Sequence, residues 1–271
     1  MPNYIKVMQL PILLLTLLSM LSVKSSAQDA LTAQEVMMKS HLAYYYSGND
    51  GVSNVKMSII NKRGKERVRE FVMLRLDKEE AGKQFYYIYF KTPSDVSRMT
   101  FMVHKDPSEN DARWIYIPSI DLIKPISADD KNSSFVNSDF SYEDISGRHP
   151  DEDNHSFAES NETDSMSFVI ESSSKEKYKG FARKVSYIDR NSFLPLRELY
   201  YNRKGVLIKE FTAEEIEEID GIKTITVRKM TNHKKSSHTL VTMSSIKYNI
   251  GLTEEIFTER YLKNPPRKFM K

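Results

Sequence analysis

The chain has 271 residues and no cysteine. That excludes disulfides, thiolate metal centres, a cysteine nucleophile and lipid attachment at an N-terminal cysteine. Glycine is scarce, at 9 residues, and none falls in a phosphate-loop or dinucleotide-binding fingerprint. GxSxG and HExxH are also missing. Charge of one sign is lacking too, with 40 Lys and Arg against 37 Asp and Glu. A chain so close to neutral has no field to gather nucleic acid. Lys62-Arg63 and His233-Lys234-Lys235 read as solvated hairpin turns. Tryptophan occurs once, as Trp114.

Long hydrophobic runs are equally rare. The one present, Val7 to Leu21, follows a basic start at Lys6 and precedes the small residues Ser25-Ser26-Ala27. This is the layout of a secretory signal peptide spanning residues 1–27. At about 1.5 Å per residue the run reaches only about 22 Å, short of a roughly 30 Å hydrocarbon core. Cleavage would place Gln28 first and remove Lys6 and Lys24, leaving 38 basic residues against the same 37 acidic ones. Residues 28–271 then form one mature domain.

What is present in quantity is aromatic: 15 Tyr and 13 Phe. Flat rings pack well on pleated sheets, so strands are expected. Leu31 to about Tyr46 reads as a helix, opened by the capping-box pair Thr32 and Glu35. Its apolar stripe of Leu31, Met38, Leu42 and Tyr45, with Val36 and Met37 beside it, is expected to pack on a sheet. From Val52 the period becomes two. Val55, Met57 and Ile59 pair with Val68, Val72, Leu74 and Leu76 across the turn Asn61–Gly64. Gln84 to Phe90, QFYYIYF, is apolar on both faces, so both must be covered. Met99–His104 and Arg113–Ile117 form the next pair, closed by Pro118. On the second of these, Trp114 and Tyr116 share one face, and Arg113, Ile115 and Ile117 the other.

Asp121 to Phe140 reads as a long irregular loop, and 147–163 as a polar, acidic loop. Strand patterns then resume at Met166–Ile170, Val185–Tyr187, Leu196–Tyr201, Val206–Phe211, Glu214–Ile219, Ile222–Lys229 and Thr239–Ile250. A short helix follows Thr253-Glu254-Glu255. About ten strands at hairpin spacing predict a mainly β (α+β) protein built on one large antiparallel sheet or open barrel.

Catalytic constellations are weak. His149 and His155 flank Asp151, Glu152 and Asp153, which reads as a solvated acidic loop rather than a metal site. Asp129, Asp130, Asp139, Glu143 and Asp144 supply carboxylates without a positioned base or nucleophile, and read as caps and turn-formers. No enzymatic activity, cofactor or metal is expected.

Several segments carry a resemblance. FKTPSDVSRMTFMVHKD (90–106), WIYIPSIDLIKPI (114–126) and FVNSDFSYEDI (135–145) are followed by LPLRELYYNRKGVLIKEF (194–211), the IDG turn (219–221) and NIGLTEEIFTERYL (249–262). Together they resemble the outer membrane lipoprotein-sorting protein family, LolA-like, over most of the mature chain. The aromatic–acidic motif at 135–145 is the most specific part. There the family shows Gly-Ser-Asp-Phe and this chain has Asn137 before Ser138-Asp139-Phe140. Asn accommodates a positive φ better than most residues, so the turn is expected to survive.

The resemblance implies an open half-barrel, one curved antiparallel sheet with helices against its concave face. It implies a periplasmic carrier or binding protein of a Gram-negative bacterium that holds acyl chains of lipids or lipoproteins in a hydrophobic cavity. The alternative is an envelope sensor or interaction module. In either case transient contact with a membrane protein is implied, such as an inner-membrane exporter of the RND type. Phe85, Tyr87, Tyr89, Phe101, Trp114, Tyr116, Phe135, Phe140 and Tyr142 are the candidate cavity residues. The helix 31–46 and the loop 121–140 are the candidate lids.

Overall fold

The computed structural model describes residues 1–2, 31–159, 166–175 and 180–270. Nearly all of the expected signal sequence, with Gln28, lies outside the described residues.

Among the described residues thirteen strands form a single antiparallel sheet. In chain order they are β1 (Asp50–Ile60), β2 (Glu66–Asp77), β3 (Gln84–Thr92), β4 (Thr100–Lys105), β5 (Ala112–Ile117), β6 (Leu122–Ile126), β7 (Asp153–Phe157), β8 (Ser167–Ser174), β9 (Arg183–Asp189), β10 (Pro195–Tyr201), β11 (Leu207–Ile219), β12 (Ile222–Asn232) and β13 (Ser237–Tyr248). The spatial order is β6-β5-β4-β3-β2-β1-β13-β12-β11-β10-β9-β8-β7. The sheet is thus two meanders joined where β1 pairs with β13, with Met57 opposite Val241. The ends, β6 and β7, do not meet, so the barrel stays open.

This order dictates the rest. β6 and β7 are consecutive in sequence yet sit at opposite edges. Their connection, residues 127–152, has to cross a whole face of the sheet. It carries the 135–145 motif and α2 (Tyr142–Ser146) across it.

The helix α1 (Ala33–Tyr45) lies on the same face. It packs beside β7, where Gln34 near its start donates to Asp151 Oδ1 at 2.7 Å, and its last carbonyl, on Tyr45, accepts from Gln84 Nε2 of β3 at 2.7 Å. β3 and β7 are nine positions apart in the sheet. At about 4.8 Å per strand a flat sheet would separate them by roughly 43 Å. A 13-residue helix is only about 20 Å long. The sheet therefore curls, and α1 and α2 occupy its concave side.

The expected helix start is borne out, with Thr32 and Glu35 forming a complete capping box. Its packing face is not. The buried side is Ala33, Val36, Met37, Ser40 and His41, whereas Met38 and Leu42 are only half-buried. Two polar residues belong to the covered face because the concave side beneath them is itself polar. A stripe chosen for apolarity alone misses that.

Edge strands account for other differences. β6 and β7 fall where loops were expected. β6 carries Pro125, which lacks a ladder donor and is tolerated only at an edge. β7 reads Asp-Asn-His-Ser-Phe, with little β propensity. The separate strands expected at 206–211 and 214–219 are one, β11, with register shifts at Ala213–Ile216.

QFYYIYF is covered on both faces, as expected. Tyr86, Ile88 and Phe90 join the concave core, where Phe71, Phe101, Phe211 and Val241 meet. Tyr87 joins Val72, Leu74 and Met102 on the other face, beneath Leu252, Ile256, Phe257 and Leu262. The C-terminal segment, with α3 (Glu259–Lys263), thus forms a second layer on the convex side of β2–β5.

Candidate functional site

The site is the concave face, and the motif at 135–146 plugs it. Phe135 is fully buried, with ring centroids 5.3 Å from Phe101, 5.9 Å from Phe90 and 6.4 Å from Phe71. Tyr142 closes the cluster, 5.4 Å from Phe101 and 5.8 Å from Phe135. Val136 has φ 43° and Asn137 φ 64°, both left-handed. That double bend drops Phe135 and Phe140 onto the sheet, and Asn137 takes the positive φ expected of it. A β-branched residue in this region is strained by about 1–3 kcal/mol, so the surrounding packing holds Val136 there.

Polar bonds anchor the plug to both wings. Asp139 is buried and accepts from Ser237 Oγ at 2.6 Å and Thr239 Oγ1 at 2.9 Å, both on β13. Its own backbone N–H donates to Thr239 Oγ1. Asp144 completes a capping box with Ser141 at the start of α2 and pairs with Lys209 of β11. Lys105 of β4 donates to the carbonyls of Ser146 and Gly147 at 2.7 and 2.9 Å. Burial pushes the Lys105 ammonium down to about 8, against the pull of Asp111, Glu152 and Glu143. Gly147 has φ 79°, and a Cβ there would lie 2.6 Å from the Tyr45 ring. Only glycine lets α2 end against α1.

The two halves of the concave face differ in chemistry. Beneath the plug, β1–β5 present mainly apolar residues, with Arg75, Gln84 and Lys105 bonding backbone carbonyls of α1 and of the end of α2. β9–β11 turn charges inward instead. Lys184 Nζ donates to Glu198 Oε1 at 2.8 Å, Ser186 Oγ to the same oxygen at 3.1 Å, and the Tyr200 hydroxyl to Glu198 Oε2 at 2.5 Å. Burial alone would raise the Glu198 pKa, but Lys184 and these donors hold it below the usual carboxylate range.

A cavity of about 290 Å³ lies here, between α1, the plug and β9–β11. His41 lines it, 5.5 Å from His149. Burial, with Lys105 nearby, drives the His41 pKa well below 6.5, so its ring is neutral. Its Nε2 has no hydrogen-bond partner among the described residues. Of these groups only His149 was singled out from sequence, and as part of an acidic loop rather than of this cavity. The signal lay in the alternation: Lys184 and Ser186, Glu198 and Tyr200, Lys209 and Phe211 occupy inward positions of their strands.

The nine candidate cavity residues do not come together. Phe101, Phe135, Phe140 and Tyr142 lie on the concave side. Phe85, Tyr87, Tyr89, Trp114 and Tyr116 face the C-terminal layer. Phe85 stands 5.6 Å from Phe257, and the Tyr87 hydroxyl donates to the Tyr261 carbonyl at 2.7 Å. The Trp114 ring stands 5.0 Å from His104, and the Tyr116 hydroxyl donates to Asp121 at 3.1 Å.

The expected solvated acidic loop at 147–163 is in part a buried ion-pair network. Arg148 bridges Glu152 at 2.5 Å and Asp153 at 3.0 Å. His149 caps residues 150–152, and His155 bonds Ser172 and the Pro150 carbonyl. Among the described residues no cluster suited to a metal ion exists. No helix among them is long and apolar enough to cross a membrane.

A family model described as that of an uncharacterized protein matches residues 82–264. No curated protein matches. A DUF1329 family protein from Desulfovibrio piger is 27% identical, with a TM-score of 0.76 over 84% of this chain and 97% of that one. An outer membrane lipoprotein-sorting protein domain from Vibrio parahaemolyticus is 25% identical, with a TM-score of 0.77 over 85% and 98%. A LolA superfamily protein from Nitrosomonas europaea, 17% identical, shares the fold at a TM-score of 0.66 over 86% and 100%. With two thirds of its length matched by one family model, and this curled sheet shared along nearly the whole of those structures, the chain belongs to the LolA-like outer membrane lipoprotein-sorting protein family.

Proposed function

We propose that the protein is a periplasmic carrier that holds the acyl chains of a lipid or lipoprotein against the concave face and delivers them towards the outer membrane. It has no enzymatic role in this reading, and it meets its membrane-protein partners transiently. One observation carries the proposal. The apolar half of the concave face is filled by the chain's own aromatic plug, and polar bonds to Asp139, Asp144 and Lys105 pin that plug in place.

Magnitudes favour exchange between plug and cargo. An acyl chain of about sixteen carbons gains on the order of 10 kcal/mol gross on burial. Expelling Phe135, Val136, Phe140 and Ile145 costs about 1.5–3 kcal/mol each, or roughly 6–12 in all. The two nearly balance. A carrier needs that, since it must release what it binds. The carboxylates at 139, 143 and 144 then serve as fasteners for the plug.

Mass spectrometry of whatever copurifies with the protein from native envelopes tests the reading. Bound phospholipid or lipopeptide, together with a lipid-dependent rise in melting temperature, is the expected result. A protein that never carries lipid and melts identically with and without lipopeptide contradicts it.

A further inference from the structure

A second cavity, of about 80 Å³, lies beside the plug between the end of α1 and β1, β12 and β13. Met73, Ile145, Leu194, Ile225 and Met243 give it apolar walls. Polar side chains stand among them. Tyr86 is 2% exposed, and its hydroxyl has no hydrogen-bond partner among the described residues. A buried hydroxyl left unpaired is costly, so its presence calls for an explanation. Arg228 of β12 is half-buried and donates to the Tyr44 hydroxyl at 2.8 Å. It lies over the rings of Tyr44 and Phe140, 5.6 and 6.0 Å from their centroids. Its Nε is buried without a partner, and among the described residues no carboxylate pairs with it.

Arg228 is thus a cation without a counter-ion. The acids that act on neighbouring Tyr44 are engaged elsewhere, Glu198 by Lys184 and Asp144 by Lys209. Arg75 also lines the cavity, but it is spent on the carbonyls of Tyr45, Ser47 and Gly48 and on Asp77. Those bonds cover the negative end of α1, which would otherwise repel an anion. Burial raises the Tyr86 pKa well above that of an ordinary phenol, with Arg75 and Arg228 pulling the other way, so the hydroxyl keeps its proton to donate. Donors without acceptors, set in apolar walls, are the complement of an oxyanion attached to a hydrocarbon. Ile145, one of those walls, and Phe140, beside Arg228, both belong to the plug. The cavity therefore adjoins the seat that the plug vacates when cargo arrives. We propose that the acyl cargo carries an anionic head, a carboxylate or phosphate that Arg228 and Tyr86 hold while the acyl chain runs into the plug's seat. This rests on the carrier reading and narrows it.

Titration calorimetry with decanoate, decyl phosphate, decanol and inorganic phosphate tests the site. The two acidic amphiphiles should bind, decanol about tenfold more weakly, and inorganic phosphate more weakly still. Tyr86→Phe removes only an unpaired hydroxyl, so the melting temperature should hold or rise while decanoate binding weakens about tenfold. Arg228→Met keeps an apolar stem over the two rings and should bring decanoate down to the level of decanol. Neither variant should alter decanol binding.

Equal binding of decanol and the acidic amphiphiles, or acidic binding that both variants leave unchanged, overturns the anionic site and leaves the carrier reading standing. Inorganic phosphate bound as tightly as decyl phosphate overturns it too, by assigning the cavity to a free anion. If no amphiphile binds at all, the carrier reading itself fails and the head-group site falls with it.

Discussion

Two residues in the plug have backbones that decide what each position tolerates. Asn137 sits at φ 64°. Asn137→Gly is expected to leave stability within about 0.5 kcal/mol, while Asn137→Val should cost about 1–3 kcal/mol, measured by urea unfolding. The family's glycine at this position and the asparagine here answer the same requirement. That much was legible in sequence, because few residue types accept a left-handed φ. His41 was not legible. An amphipathic pattern places a histidine on the wet face, and only the fold shows the ring sealed beneath α1. Burial also pushes the pKa of His104, His149 and His155 below the usual histidine value. The unfolded chain takes up protons near pH 6.5 more readily than these folded rings, so the unfolded state binds more protons there. Stability should therefore change little near pH 7, fall as pH drops below about 6.5, and rise with pH above about 8, where the folded Lys105 loses its proton before the unfolded chain's lysine does. Thermal melts from pH 5 to above 8 check this, and His41→Gln should flatten part of the slope.

At the scale of elements, the plug couples packing to the site. Phe135→Ala removes a ring in contact with Phe71, Phe90 and Phe101, and is expected to cost the lipid-free protein about 3–5 kcal/mol. If cargo displaces the plug, the same variant should lose much less stability once lipid is bound. Paired melts with and without lipopeptide separate the two states. Most of the central hairpins were readable because they join alternating strands through a glycine-bearing turn, as at Gly64, Gly205 and Gly221. β6 and β7 were not, since an edge strand buries little and need not alternate. The aromatic strands were read correctly as buried and ambiguously as to face. Trp114 and Tyr116 look out, Ile115 looks in, and the C-terminal layer that gives the outer face its core lies 130 residues or more along the chain. Local periodicity carries no information about so distant a cover.

At the scale of the whole molecule, strand order explains why the family motif is where it is. β6 and β7 are adjacent in sequence and at opposite edges of the sheet, so the segment between them must bridge the concave face. A motif that looked like acids scattered among aromatics is a strap with ring side chains below and carboxylate fasteners at its ends. The central claim is that this strap leaves its seat when cargo arrives. The chain has no cysteine, which makes a direct test clean. Asp139 and Ser237 side chains touch at 2.6 Å, and Asp139→Cys with Ser237→Cys would place a single reversible bond between plug and β13. Uptake of a fluorescent lipopeptide is then compared for the oxidised and reduced forms of this one protein. The account predicts that the oxidised form takes up none and that reduction restores uptake. Equal uptake by both forms would contradict it.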